Sequence, residues 1–179
     1  NPEYAEAYNS RGSVYKSKRN YGQAIADYTK AIELNSNFSE AYYGRGAVYS
    51  IKGDNNRAIS DFDKAIAINP NYAYAYNERG LCYFANGLHD MALSDYNKAI
   101  EINPRYARAY HSRALSYYAK GDIDRAIADF DKAIEINRNY AAAYNRRGLA
   151  YYTRYVNNKY DQAVSDYTRA IEINPDYFE

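Results

Sequence analysis

The chain of 179 residues has no tryptophan, one cysteine and four prolines. A single cysteine excludes an intrachain disulfide and any metal site that needs several thiolates. Apolar runs reach only about five residues, as at residues 81–85, so the sequence predicts neither a membrane span nor a signal peptide. An excess of one charge is also missing, because 23 Lys and Arg stand against 22 Asp and Glu. This balance argues against a generic binder of nucleic acid or anionic membrane, which carries a basic excess.

Tyrosine, by contrast, is abundant, with 25 residues, and an internal repeat accounts for most of them. The chain matches itself at a period of 34 residues, and the dipeptide Arg11-Gly12 returns in every copy, once as Arg113-Ala114. The expected repeats are residues 5–38, 39–72, 73–106, 107–140 and 141–177. The fifth has three extra residues within 155–159, which form either a contact loop or a longer helix and turn. Residues 1–4 match the close of a repeat and 178–179 begin another, so together with the missing initiating Met they indicate a segment of a longer array.

Each repeat predicts two helices. In the first half, Tyr8, Gly12 and Tyr15 recur at spacings of four and three, which is one face of an α-helix. In the second half, Ala24 and Tyr28 continue that spacing. Glycine stops the first helix in the middle repeats, and proline follows the second helix in most of them. Because one helix pair cannot bury both of its faces, the repeats must stack into an all-α solenoid.

The recurring residues resemble the tetratricopeptide repeat (TPR) family over essentially the whole chain. The family pattern is an aromatic residue, Leu-Gly, Tyr, Ala, an aromatic residue, Ala and Pro. In the first repeat these places hold Tyr8, Arg11, Gly12, Tyr15, Ala24, Tyr28, Ala31 and Ser36. Ser36 and Arg138 replace the proline, and Ala114 replaces a glycine. The resemblance implies a right-handed superhelical solenoid of tandem helix-turn-helix repeats that acts as an interaction scaffold or adaptor, with a peptide held in a concave groove of first helices.

One departure from the family pattern recurs in every repeat: arginine stands in place of the usual leucine, and an aspartate lies on each second helix. The combinations are Arg11 with Asp27, Arg45 with Asp61, Arg79 with Asp95, Arg113 with Asp129, and Arg147 with Asp166. A matching carboxylate for every arginine predicts structural ion pairs inside the repeats. Two alternatives are a basic stripe for an acidic ligand, and pairing of each aspartate with the Lys or Arg three residues later.

Binding residues are sought where the repeats differ, because positions that never vary serve the fold. Four variable rows, spaced by three and four, form one face of the first helices, which we call the first-helix face and which the resemblance places in the groove. Its candidate peptide-binding residues are Asn9, Tyr43, Tyr74, Asn77, Leu81, Phe84, His111, Leu115, Tyr118, Asn145, Leu149 and Tyr152. The face is polar and acidic in the first two repeats and apolar or aromatic in the last three, which predicts an apolar or aromatic ligand. Alternatively, its leucines and asparagines pack between neighbouring helices.

Other family and catalytic features are missing. The family's carboxylate clamp for chaperone tails needs a lysine in the row of Asn9 and an asparagine in the row of Ser13, and no repeat has either. Cys82 lies in a small, inward-facing row, and His89 and His111 are far apart in sequence. We therefore expect no enzyme activity, no cofactor and no metal site. His111 confers at most a mild pH sensitivity on binding.

The partner expected from these features is a protein or peptide of unknown identity. The alternative function is self-association through the groove or the array ends. Nucleic-acid binding and membrane insertion are not expected, because charge is balanced and apolar runs are short. The segment carries no targeting signal, so the sequence predicts a soluble protein and leaves its compartment unknown.

Overall fold

A computed structural model describes residues 2–154 and 160–175, with the backbone alone for residues 2 and 3. Within that described part the chain forms ten α-helices and no strand, which confirms the all-α tandem helix-turn-helix fold. The helices are α1 (Pro2–Ser17), α2 (Tyr21–Leu34), α3 (Ser39–Ile51), α4 (Asn55–Ile68), α5 (Ala73–Ala85), α6 (His89–Ile102), α7 (Ala107–Ala119), α8 (Ile123–Ile136), α9 (Ala141–Arg154) and α10 (Tyr160–Ile173). Helix α1 starts at Pro2, so residues 2–4 lengthen it. The insertion at 155–159 and the expected start of a further repeat at 178–179 lie outside the described residues.

The chain divides into two compact units, an N-terminal unit (Asn1–Asp95) and a C-terminal unit (Tyr96–Glu179), with the boundary inside α6. In the N-terminal unit, α1 packs with α2 and α3 packs with α4, while α3 also contacts α1 and α5. First helices of successive repeats therefore lie side by side there. In the C-terminal unit, α7 packs with α8, α9 with α10, and α8 with α9.

The turn between the two helices of a repeat needs a left-handed residue. Gly53 and Gly87 have φ angles of +78° and +74° with no neighbouring atom where a Cβ would be, so backbone conformation rather than space selects glycine. The first repeat places Arg19 there, with φ of +58°. Asp54 then caps α4, because its carboxylate accepts a hydrogen bond from the backbone N–H of Arg57 at 3.1 Å. These turns fix where each second helix begins.

Small residues allow large rings to sit between helices and between repeats. The Tyr28 ring is only 1% exposed, and a Cβ on Gly12 would lie 3.1 Å from it. From the next repeat, Gly44 approaches the same ring so closely that a Cβ would come within 2.5 Å. Val48 packs on Tyr28 and Ala24 as well. Each core cluster is thus shared by two repeats, and burying such a ring stabilises the stack by about 2 kcal/mol.

Candidate functional site

The structure brings together the two side chains of every expected Arg–Asp pair. In all five repeats the arginine donates two hydrogen bonds, from Nε and Nη2, to the two carboxylate oxygens of its aspartate. The donor–acceptor distances are 2.6–2.8 Å, and the aspartates are only 4–7% exposed. This bidentate geometry is the strong form of an ion pair. Their guanidinium groups are held by carboxylates inside the repeats and do not form an open basic stripe.

Four of the arginines also bind the preceding repeat through the remaining nitrogen, Nη1. The acceptors are Thr29 for Arg45 (3.0 Å), Asp63 for Arg79 (2.6 Å), Asn97 for Arg113 (2.7 Å) and Asp131 for Arg147 (2.5 Å). These four side chains are 18–19% exposed, whereas Arg11 is 57% exposed. The arginine row therefore links neighbouring repeats in addition to closing each helix pair. Sequence reasoning missed this link because its acceptor varies from repeat to repeat.

Burial and pairing oppose each other at the third pair. The pKa of Arg79 is raised, chiefly by its hydrogen bond to Asp95 and against the effect of burial, so the guanidinium stays charged. Burial also raises the pKa of the Asp95 carboxyl above its usual range, while the arginine counteracts that effect. The pair is stable because each partner compensates for the desolvation of the other.

Tyrosines complete the surroundings of the arginines. Each of the five guanidinium carbons lies 5.1–5.8 Å from the ring centre of the tyrosine three residues earlier, as for Arg11 over Tyr8 and Arg79 over Tyr76. A cation over an aromatic face is attracted by the ring electrons. This contact gives a physical reason for tyrosine at a place where the family often has tryptophan. The signal in the sequence is the fixed spacing of three between the Tyr and Arg rows.

In the N-terminal unit, two candidate binding residues belong to the packed interior. The Tyr43 ring centre lies 5.8 Å from that of Phe62 and 5.0 Å from that of Tyr72, within a core cluster. Asn77 has no exposed surface, and its amide donates a hydrogen bond to the Glu78 carboxylate at 3.2 Å. The alternative of packing between helices therefore describes these two residues, and Asn77 does not lie on an open groove.

The other candidates of that unit keep some exposed surface. Asn9, Leu81 and Phe84 are half-buried, and Tyr74 is exposed. The Phe84 ring is 5.2 Å from His89 in an edge-on contact, so part of its surface is already used within the repeat. This part of the first-helix face offers separate contacts and no continuous apolar strip.

In the C-terminal unit, the candidate residues form a more open surface. Tyr152 is 56% exposed, while Leu115, Tyr118 and Leu149 are half-buried. The Tyr118 hydroxyl shares a hydrogen bond of 2.8 Å with the hydroxyl of Thr153, which ties the end of α7 to α9. The two Leu–Tyr spacings of three residues place these side chains on one face of each helix. The result is an apolar strip bordered by hydroxyl groups.

His111 lies at the N-terminal side of this strip. Its ring centre is 5.1 Å from Tyr140 and 5.6 Å from Phe130. Burial, assisted by the positive charges of Arg146 and Arg108, lowers its pKa from 6.5 to about 4. His111 is therefore neutral at physiological pH and serves as a flat, polar-edged ring.

The remaining residues carry no sign of catalysis. Asn145 is half-buried on α9, and Cys82 is 1% exposed, with burial raising the pKa of its thiol. Among residues 2–154 and 160–175, no group of three His, Cys, Asp or Glu side chains is placed to hold a metal ion. The helices in that same part of the chain are all too short or too polar to cross a bilayer.

Stacked helix pairs with residue-by-residue conserved spacing define a helical-repeat interaction scaffold. Sequence models described as tetratricopeptide repeat match residues 5–38, 39–72 and 73–106, and further TPR models match 95–128, 114–154 and 141–177. The chain belongs to the tetratricopeptide repeat family. Proteins of this family are generally non-enzymatic scaffolds for protein interaction. Comparison with curated protein sequences gives no match.

Solved structures agree with this assignment. The crystal structure of MamA is 29% identical over 92% of this chain and 94% of that one, with a TM-score of 0.78. YrrB, described as a TPR protein with an unusual peptide-binding site, is 26% identical over 99% of this chain and 90% of that one, with a TM-score of 0.73. Pseudomonas aeruginosa pilF resembles the fold, with a TM-score of 0.88 at 20% identity over 96% and 77% of the two chains.

Proposed function

We propose that the chain binds a peptide segment of a partner protein on the first-helix face of its C-terminal unit. The carrying observation is the exposed ring of Tyr152 beside the half-buried Leu115, Tyr118 and Leu149. Apolar surface left open on a repeat scaffold marks an interaction site more often than a packing fault. YrrB, whose description names a peptide-binding site, has a comparable fold, and this supports the proposal.

The chemistry of the strip defines the ligand. Leucine and tyrosine side chains favour apolar or aromatic ligand side chains, and a few such anchors carry most of the energy in protein interfaces. Asn145, half-buried one helical turn before Leu149, has an amide that can both donate to and accept from an extended peptide backbone. The N-terminal unit contributes less, because Tyr43 and Asn77 are already packed.

A peptide-display selection against the chain tests this proposal. We expect enrichment of sequences with apolar or aromatic residues, and a loss of affinity of at least about tenfold for the selected peptides when Tyr118→Ala is combined with Tyr152→Ala. The matched control combines Leu88→Ala with Met91→Ala, two apolar residues that are 45% and 47% exposed outside the first-helix face. Circular dichroism checks that both double variants remain helical. Selected peptides that bind the Tyr118/Tyr152 variant as tightly as the original chain would place the site elsewhere.

A further inference from the structure

The junctions between successive repeats are of two kinds, which alternate along the chain. In the first junction, the hydroxyl-bearing end of the Tyr28 ring lies against Gly44, where a Cβ would come within 2.5 Å of a ring carbon. The following residue, Thr29, is uncharged and accepts the hydrogen bond from Arg45 Nη1 at 3.0 Å. This junction combines a tyrosine, an uncharged acceptor and a small residue in the next repeat.

The second junction differs in all three features. Phenylalanine replaces the tyrosine at residue 62, the acceptor is the charged Asp63, and the next repeat presents the long side chain of Glu78. The third junction returns to the first kind with Tyr96, Asn97 and Ser112, and the fourth repeats the second kind with Phe130, Asp131 and Arg146. Ser112 is 2% exposed, so a small residue is again enclosed where a tyrosine precedes. The period of this pattern is two repeats.

The two outermost faces of the stack fit the first kind of junction. The C-terminal face, on α10, presents Tyr167 followed by the uncharged Thr168, beside Val164, which is 61% exposed. The N-terminal face, on α1, presents the small Ser10 and Arg11 at the places that Gly44 and Arg45 hold in the second repeat. It also exposes 54% of Val14.

The side chains of these faces are buried wherever a neighbouring repeat exists. Val48, which holds the place of Val14 in the second repeat, is fully buried against Ala24 and Tyr28. Arg45 is 19% exposed, whereas Arg11 is 57% exposed. Within the described residues, Arg11 Nη1 has no acceptor to match Thr29, because its bonds to Asp27 use Nε and Nη2.

We propose that the N-terminal face of one copy of this chain docks on the C-terminal face of a second copy and reproduces a junction of the first kind. Val14 then packs against Val164 and the Tyr167 ring, as Val48 does against the first repeat. Ser10 leaves room for the hydroxyl-bearing end of Tyr167, and Arg11 Nη1 donates to Thr168. A glutamate or arginine at the place of Ser10, as in the third and fifth repeats, would not fit a tyrosine junction.

Because this contact joins two different faces, it does not close on itself. A heterologous, head-to-tail contact gives an open series of species, whereas a symmetric contact stops at a dimer. The proposal is independent of peptide binding, since neither face includes the apolar strip of α7 and α9. Each function can therefore be lost without the other.

Analytical ultracentrifugation of the 179-residue chain tests the proposal from about 10 µM to about 1 mM, the range in which weak contacts become populated. We expect the mass to rise continuously with concentration. Ser10→Arg should weaken association at least about tenfold, because the long side chain meets the Tyr167 ring. Thr168→Asp should strengthen it about fivefold, because the Arg11 contact then acquires the charge of the Asp63 type.

Two controls separate this contact from other forms of association. Ser17→Arg adds the same charge to an exposed place on α1 outside the N-terminal face and should leave association unchanged. The Tyr118→Ala/Tyr152→Ala variant should associate like the original chain, and its failure to do so would place the contact in the groove. A monomer at every concentration for both the original chain and Thr168→Asp overturns the proposal. A mass that stops at the dimer, or association unaffected by Ser10→Arg, also overturns it.

Discussion

The first repeat and the interior repeats contain the same Arg–Asp pair in different surroundings. Arg11 and Arg45 both hold their aspartates with two hydrogen bonds of 2.7–2.8 Å, yet they are 57% and 19% exposed. The geometry of the pair is therefore set within one repeat, and its burial is set by the repeat before it. The same contrast separates Ser10 from Gly44, since only the latter faces a buried ring. Local sequence makes the contact, and the neighbouring repeat determines how much the contact contributes.

Removing one arginine gives the largest expected difference. Arg79→Ala leaves the Asp95 carboxylate, 5% exposed, without its bidentate partner, and should lower the free energy of unfolding by about 3 kcal/mol. Arg11→Ala should have a clearly smaller effect because water already solvates that guanidinium. Urea unfolding of both variants measures the difference, and equal losses would contradict the role of the preceding repeat.

The pH dependence of the Arg79→Ala variant follows from the same burial. Burial raises the pKa of Asp95 in the folded state, and loss of the arginine removes the group that opposes this rise. An acid with a raised pKa binds its proton more tightly when folded, so part of the lost stability returns as the pH falls towards that pKa.

Filling the small-residue places compares the same two repeats sterically. Gly44→Ala puts a Cβ about 2.5 Å from the buried Tyr28 ring. Overpacking of about 3 kcal/mol outweighs a gain in helix propensity of about 1 kcal/mol, so a net loss of about 2 kcal/mol is expected. Ser10→Ala, at the same place in the first repeat, should be neutral in dilute solution. Thermal unfolding of the two variants distinguishes these outcomes, and a stabilised Gly44→Ala would show that the ring moves aside without cost.

His111 and Asn9 hold the same row in the fourth and first repeats, and only the histidine titrates. Because burial lowers its pKa from 6.5 to about 4, the unfolded chain binds the proton more tightly. Stability is therefore present above pH 6.5 and is lost as the pH falls towards 4. Between pH 7.5 and 5.5 the loss should be about 1.5 kcal/mol. Urea midpoints for the original chain and His111→Asn test this, and identical pH profiles would argue against a buried neutral histidine.

The smallest expected effect concerns the turn of the first repeat. Arg19 adopts φ of +58° where Gly53 has +78°, and a non-glycine residue in this region costs about 1 kcal/mol. Arg19→Gly should stabilise the chain by up to about that amount, and Gly53→Ala should destabilise it similarly. Paired unfolding midpoints provide the measurement, and a loss of stability in Arg19→Gly would mean that its side chain contributes more than its backbone strain costs.

The residues that recur in every repeat allowed the fold and the ion pairs to be predicted. Spacing alone places Tyr8, Gly12 and Tyr15 on one helix face, and an arginine matched by an aspartate in each repeat indicates a contact within it. The link from Arg Nη1 to the previous repeat was not predictable in that way. Its acceptors are Thr29, Asp63, Asn97 and Asp131, and only their alternation over two repeats gives a signal.

The variable rows were less predictable for a physical reason. Asn77 and Asn145 share a row and a residue type, yet the first has no exposed surface and the second is half-buried. A row fixes the direction of a side chain from its helix axis, but its burial depends on the volumes of the residues around it. The sequence therefore predicts which face could bind, and the structure restricts the candidates that remain accessible.

The alternating acceptors also mean that dissolved salt acts unevenly along the array. Ions screen the attraction of Arg79 for Asp63 and of Arg147 for Asp131, because both aspartates are 51% exposed. The neutral bonds from Arg45 to Thr29 and from Arg113 to Asn97 contain no acceptor charge to screen. As the ionic strength rises, the charged and neutral junctions become more alike. Amide hydrogen exchange should accordingly be more uniform from repeat to repeat in concentrated salt than in dilute buffer.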